Sequence, residues 1–245
     1  MSGSDKFKNK QILIVGATGG LGCSIARHLK CEGASLVLSG RNEAKLNALS
    51  QELGAESLSV DLSDSAERAQ LADTIGTVDG VVYAAGVAPV APVRYLKDAD
   101  LEACLNVNTV GPLLLIRDLL RKKKLNPGAS IVWLSSVASA RGAAGYAAYA
   151  ASKAGLEASA RCLALELAPK GMRVNCIAPG MIETEMAASA AERISGEALA
   201  AHLKAYPLGV GQPADVAAAA SFLLSEASRW VTGVTLPVDG GFSIQ

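Results

Sequence analysis

Short, almost wholly apolar runs alternate with longer segments whose apolar positions recur every three or four residues. The short runs cover residues 11–16, 35–39, 57–61, 78–84, 130–135, 172–177 and 234–238. Continuous apolar stretches of four to eight residues are what strands buried on both faces require. Between them the periodic segments predict helices at about 20–31, 42–53, 65–75, 98–125 with a break near Asn108, 151–168 and 215–224. Residues 187–206 read as further helix, interrupted at Ser195-Gly196. Strands separated by helices of this length imply an α/β fold, a Rossmann-type doubly wound parallel sheet of about seven strands with helices on both faces. No linker, repeat or low-complexity tract interrupts the alternation, so residues 1–245 read as a single domain behind a flexible N-terminus over 1–10.

Composition narrows the picture. Half the residues are hydrophobic, enough for a sheet covered on both sides. Lysine plus arginine number 23 and aspartate plus glutamate 23, so no overall field draws nucleic acid or an anionic membrane. The five cysteines (Cys23, Cys31, Cys104, Cys162, Cys176) are scattered, with no C-x-x-C, which suits a reducing compartment and offers no zinc site. Two isolated histidines, His28 and His202, make no metal centre. The first apolar run is too short for a signal sequence and no stretch reads as a bilayer span, so the expectation is a soluble cytoplasmic protein without metal.

Candidate chemistry enters at the first strand's end. Gly16-Ala17-Thr18-Gly19-Gly20-Leu21-Gly22 joins a strand to a helix start. Missing side chains let backbone approach a pyrophosphate, and the helix N-terminus offers N–H donors and positive dipole. The same glycines also suit a tight turn that packs the helix on its strand. After the second strand, where a carboxylate would bind the hydroxyls of an adenosine ribose, stand Ser39, Gly40 and Arg41. A guanidinium grips a 2′-phosphate, so NADP is expected over NAD; otherwise Arg41 simply starts the next helix.

A second constellation lies in mid-chain. Tyr149 and Lys153 are four apart on one helix face, and Ser136 stands thirteen residues upstream at a strand end. At neutral pH only about one free phenol in 10³ is ionised. An adjacent ammonium would favour the phenolate, a shift of roughly 3 units being about 4 kcal/mol. Serine, tyrosine and lysine together would form a proton-transfer group, although a lone Tyr-x-x-x-Lys pair often just decorates a solvated helix.

With these segments assembled, the sequence resembles the short-chain dehydrogenase/reductase family over about residues 11–241. The glycine turn matches the family's T-G-x-x-x-G-x-G with Val15 in first place. Asn106-Val107-Asn108 matches the segment carrying its helix asparagine, placed at Asn108. Asn175-Cys176-Ile177-Ala178-Pro179-Gly180-Met181-Ile182-Glu183-Thr184 matches its P-G motif, and Val238-Asp239-Gly240-Gly241 its closing V-D-G-G. One departure stands out: where the family reads N-N-A-G, this chain has Tyr83-Ala84-Ala85-Gly86, so hydrogen bonding that braces the central strands must come from elsewhere.

The resemblance implies a catalytic set of Asn108, Ser136, Tyr149 and Lys153, with hydride passing between nicotinamide and a carbonyl carbon from the pro-S face. Tyr149 would give the proton, Ser136 orient the substrate oxygen, and Lys153 lower the phenol pKa and hold the nicotinamide ribose. Asn108 would anchor a water leading to solvent. NADP(H) would be held by Gly16, Thr18, Gly19, Gly20, Leu21 and Gly22, by Ser39 and Arg41, by Asp61 and Leu62 beside the adenine, and by Ala85 and Gly86. Pro179, Gly180, Ile182 and Thr184 would lie along its nicotinamide end, with Ile182 and Thr184 on the carboxamide, and residues 181–209 would form a substrate lid. The nearest subgroup is the 3-oxoacyl-[acyl-carrier-protein] reductases, so a carrier-bound acyl substrate is expected, with Arg121, Lys122, Lys123, Lys124 and Lys170 as docking cations or merely solvated helix ends. The alternatives are the same chemistry on a specialised-pathway keto intermediate, a sugar-derived ketone or a steroid-like alcohol, and a nicotinamide-sensing regulator without turnover. Family resemblance also implies a homotetramer.

Overall fold

In the computed structural model of the protein, which describes residues 5–191 and 196–244, seven parallel strands form one sheet in the order β3-β2-β1-β4-β5-β6-β7. The strands are β1 (Gln11–Val15), β2 (Ser35–Gly40), β3 (Glu56–Ser59), β4 (Val78–Tyr83), β5 (Leu125–Leu134), β6 (Arg173–Pro179) and β7 (Thr235–Val238). The helices between them are α1 (Gly20–Cys31), α2 (Glu43–Leu53), α3 (Ser65–Thr74), α4 (Asp98–Leu105), α5 (Gly111–Arg121), α6 (Ala147–Leu167), α7 (Glu185–Ala191), α8 (Gly196–Lys204) and α9 (Pro213–Leu224). This is the expected doubly wound sheet.

Side chains alternate across the pleat, so each strand feeds two cores. Leu13, Val81, Ile131 and Val174 face Leu71, Leu115 and Leu156 of α3, α5 and α6. Ile12, Leu38, Val132 and Ile177 face Ile25, Leu46 and Val216 of α1, α2 and α9. The strand order reverses beside β1, whose neighbours are β2 and β4, so a crevice opens beyond their C-terminal ends.

Several boundaries differ from the sequence expectation. β5 starts at Leu125, not 130, because Leu125 pairs with Val78 before a register shift accommodates the exposed Pro127-Gly128 turn. β3 is short and shifted to 56–59, and α6 begins at Ala147, which seats Tyr149 inside its first turn. The N-terminus is not free over its length: Phe7 is buried, and its N–H donates to the Glu32 carbonyl at 2.9 Å. Residues 1–4 of that expected flexible tail lie outside the described residues, as do 192–195 of the expected lid, Ser195 of its break included. Finally, Asp98–Arg121 is one 24-residue rod, long and apolar enough to cross a membrane, contrary to expectation. Its buried residues (Cys104, Asn108, Leu115, Ile116, Leu119) pack it instead as a core helix.

Candidate active site

The glycine turn leaves β1 with Gly16 at φ +76°, a conformation that costs glycine nothing. A Cβ there would stand 2.5 Å from the Ala85 nitrogen, so the turn can approach the end of β4 only without one. Gly22 packs directly on the Gly16 carbonyl, and a Cβ on Gly20 would meet the Thr184 methyl at 2.9 Å. α1 begins at Gly20 with no side chain capping it, which leaves first-turn N–H groups for a ligand. Above this turn lies a cavity of about 370 Å³.

Of the residues the sequence nominated for a cofactor, Gly16, Thr18, Gly19, Gly20, Leu21, Ser39, Arg41, Asp61, Leu62, Ala85, Gly86 and Thr184 line this cavity. Gly22, Pro179, Gly180 and Ile182 do not line it. Gly22 supports the turn from behind, and Pro179 ends β6. Gly180 is pressed between Tyr206 and Asp239. Ile182 is buried in a bridge to Gly211 made by the Met181 carbonyl and the Glu183 N–H. Among the lining residues that the sequence did not nominate are Asn42, Ser63, Tyr83, Val107 and Met186.

The lining suits a phosphorylated adenosine. Ser39 is fully buried, and among the described residues its hydroxyl finds no hydrogen-bond partner, an arrangement costly unless a ligand supplies one. Arg41, exposed beside it, lies near Asp61, whose carboxyl is held below the usual range chiefly by the Ser63 hydroxyl, which donates to it at 2.7 Å. Bare backbone, an unpartnered hydroxyl and a guanidinium together fit NADP better than NAD.

Gly86 connects this cavity to the second constellation. A methyl there would lie 3.4 Å from Lys153 Nζ and 3.3 Å from Asn108 Oδ1. Lys153 is buried and donates to the Leu134 carbonyl at 2.7 Å, one residue pair before Ser136. The Ser136 hydroxyl lies close enough to the Tyr149 phenol to act on its acidity, and it accepts from the Ala138 N–H at 3.2 Å, so the serine, tyrosine and lysine gather at the C-terminal end of β5. Tyr149 and Lys153 stand just beyond the cavity lining.

Electrostatics correct one expectation. The Tyr149 phenol is not drawn down by Lys153: burial pushes it above its ordinary value, and the nearby Ser136 hydroxyl only partly offsets this. Burial likewise drives Lys153 down to about 8, against the opposing charges of Cys104, Cys176 and Glu157. The ammonium is 5.7 Å from the phenol ring centre and spends a proton on a backbone carbonyl, so the unliganded phenol is a neutral donor.

Asn108 is fully buried in a π turn (Asn106–Val110) between α4 and α5. Its Oδ1 accepts from the Val87 N–H at 2.9 Å, and its Nδ2 donates to the Val87 carbonyl at 2.8 Å and to Ser152 Oγ at 2.9 Å. Ser152 in turn donates to the Tyr149 carbonyl at 2.7 Å. Glu157 accepts from Ser135 Oγ at 2.5 Å. Ser152 and Glu157 carried no signal alone, although both follow Tyr149 at helical spacing.

The cationic cluster is the second correction. Arg121, Lys122, Lys123 and Lys124 precede β5, and Lys170 precedes β6, so all five lie at the edge of the sheet opposite Ser136. A ten-residue strand separates the two edges by roughly 30 Å. Lys122 pairs with Asp73, and Lys124 donates to the Ile75 carbonyl at 2.6 Å. Lys122 and Lys124 hold the end of α3, and none of the five lines the cavity.

Fold and site define a dinucleotide-fold oxidoreductase. Comparison with known proteins adds the family. Residues 16–243 match a family model described as enoyl-(acyl carrier protein) reductase. The chain is 35% identical over 232 residues to the 3-oxoacyl-[acyl-carrier-protein] reductase FabG of Rickettsia bellii, covering 94% of this chain and 95% of that one. It is 37% identical over 240 residues to carbonyl reductase family member 4 of Danio rerio, covering 95% and 97%. A short-chain type dehydrogenase/reductase from Mycobacterium ulcerans superposes with TM-score 0.91 at 29% identity, covering 98% of this chain and 92% of its own. BdcA in complex with NADPH superposes with TM-score 0.87 at 28% identity, covering 97% and 96%. The chain belongs to the short-chain dehydrogenase/reductase family. It is an oxidoreductase acting on CH–OH or C=O groups, which sets the non-catalytic regulator aside.

Proposed function

We propose that this protein reduces 3-oxoacyl thioesters, carried on an acyl carrier protein, with NADPH as reductant. The observation that carries the reading is the contact of Tyr149 with Ser136 beside a buried Lys153, at the edge of a glycine-lined cavity. Two hydroxyl donors converging on one point can hold a carbonyl oxygen and stabilise it as negative charge develops. The cofactor is NADP(H), which supplies the hydride when bound. Gly19, Gly20 and Leu21 take its pyrophosphate, Ser39 and Arg41 its 2′-phosphate, Asp61 and Leu62 its adenine side. Thr184, which lines the cavity, takes the carboxamide, with Ile182 holding that turn in place through its bridge to Gly211.

Ser136 orients the substrate oxygen and Tyr149 donates its proton to the developing alkoxide. Lys153 steadies the resulting phenolate and holds the cofactor's ribose hydroxyls. Asn108, locked in its π turn, ties Val87 to Ser152 on the tyrosine helix. The FabG name among the relatives supports the acyl-carrier substrate; the carbonyl reductase name at 37% identity keeps small ketones as the second reading. The protein works in the cytoplasm as a single-domain subunit of a homotetramer. Exposed apolar side chains, Trp230 at 91% and Leu165 at 80%, supply faces that association would cover.

Two experiments test this. Following nicotinamide absorbance, carrier-bound 3-oxoacyl substrate should give kcat/KM at least about tenfold above a small ketone, since remote binding energy is spent at the reacting centre. Equal values, or a preference for the small ketone, would remove the carrier reading. Arg41→Asp should lose about 10- to 100-fold in kcat/KM for NADPH, the worth of a charge-assisted hydrogen bond, and little for NADH. An unchanged ratio of the two cofactors would strip Arg41 of its phosphate role.

A further inference from the structure

The π turn that holds Asn108 runs into Pro112, which has no N–H to offer the carbonyls before it. In a π turn the carbonyl of residue i takes the N–H of residue i+5. Asn106 does so, accepting from Gly111. For Val107 the matching donor would be residue 112, which is proline and has no N–H. The carbonyl is instead reached from the sheet: the Tyr83 hydroxyl, at the end of β4, donates to it at 2.9 Å. Tyr83 is buried at 2% exposure, and burial raises its phenol well above the ordinary value, so the donor proton is always present. Gly111 makes the room, since a Cβ there would stand 2.9 Å from the Tyr83 oxygen. Tyr83, Gly111 and Pro112 are therefore one interlocked arrangement.

We propose that Tyr83 is a positioning residue for Asn108, holding the Val107 carbonyl so that the π turn delivers the asparagine side chain to Val87 and Ser152. It answers the missing N-N-A-G bracing: the residue standing in the first asparagine's place ties the central strand to the helix itself. Its effect on turnover rests on the reductase reading above; its effect on the turn does not.

The test is Tyr83→Phe, which keeps the ring and removes only the donor. Losing one hydrogen bond to a half-buried carbonyl should lower kcat by about fivefold to tenfold while the NADPH dissociation constant stays within about twofold. Amide exchange at residues 108–111 should quicken by about tenfold, with the β1 and β6 amides unchanged. Adding Pro112→Ala restores an N–H at the i+5 place, so the double variant should recover both kcat and protection. Parent-like kcat and exchange in Tyr83→Phe, or no recovery in the double variant, overturns the proposal. Should Tyr83→Phe not fold, Tyr83→Met replaces it, removing the donor with a flexible apolar side chain: selective loss of kcat supports the brace, and parent-like kcat ends it. If the parent reduces no carbonyl compound, the reductase reading fails, and exchange at 108–111 alone decides on Tyr83.

Discussion

Tyr149→Phe retains NADPH binding and loses turnover by about 10³-fold, within the span that a positioned general acid contributes. The substitution removes one oxygen from a ring that keeps its edge-on contact with Tyr146, at 6.1 Å between centres. The fold therefore has no reason to respond, and the cofactor cavity, whose lining does not include Tyr149, keeps its shape. Burial holds the phenol protonated, the state a proton donor needs for reduction near pH 7. A dissociation constant for NADPH and single-turnover rates separate the two effects. A Phe variant with near-parent rates would show that the proton comes from elsewhere.

Lys153→Met loses turnover by about 10²-fold or more and yet gains stability at pH 7. Burial takes the ammonium from its ordinary 10.5 to about 8. At 1.36 kcal/mol per unit, keeping that charge inside costs the folded state on the order of 3 kcal/mol. The lost hydrogen bond to the Leu134 carbonyl returns about 1 kcal/mol of this, leaving a net gain of roughly 2 kcal/mol for a methionine of similar shape. The sign with pH follows from the lowered value. Between about pH 8 and 10.5 the unfolded chain binds the proton more tightly than the folded one, so parent stability rises with pH across that window. Below pH 8 the penalty is fully present, and the gap between variant and parent closes as pH climbs toward 10. Urea unfolding at pH 7 and pH 9.5 measures both ends. A variant less stable than the parent at pH 7, with a gap that ignores pH, would contradict a buried ammonium.

What was legible in the sequence was local or strictly periodic. The glycine turn, Arg41 and the Tyr149–Lys153 pair all announce themselves by spacing along one element, and the structure brings them to one end of the sheet. The break near Asn108 was visible as well, and it is the π turn. What was hidden depends on contacts between elements. Ser152 acquires its role only because the π turn packs on α6. Tyr83 reads in sequence as a lost asparagine, and its role depends on the Val107 carbonyl that its hydroxyl meets across the fold. Phe7 was overlooked because one apolar residue in a polar stretch has no period. The place of the lysine cluster depends on direction along the sheet: it stands before a parallel strand, and ligand sites lie beyond the strands' other ends. Spacing puts the phenol near a cation and says nothing of burial, which is the largest influence on it here.

The central claim is that the serine, tyrosine and lysine at the end of β5 serve a hydride transfer from the neighbouring cavity to a carbonyl carbon. NADPH carrying deuterium at the pro-S position of C4, mixed with acetoacetyl thioester and the protein, tests it by the mass of the product. The account predicts a 3-hydroxyacyl product one mass unit heavier at its carbinol carbon, formed by the parent and barely by Tyr149→Phe. An unlabelled product, or a labelled one formed equally by both proteins, would contradict it.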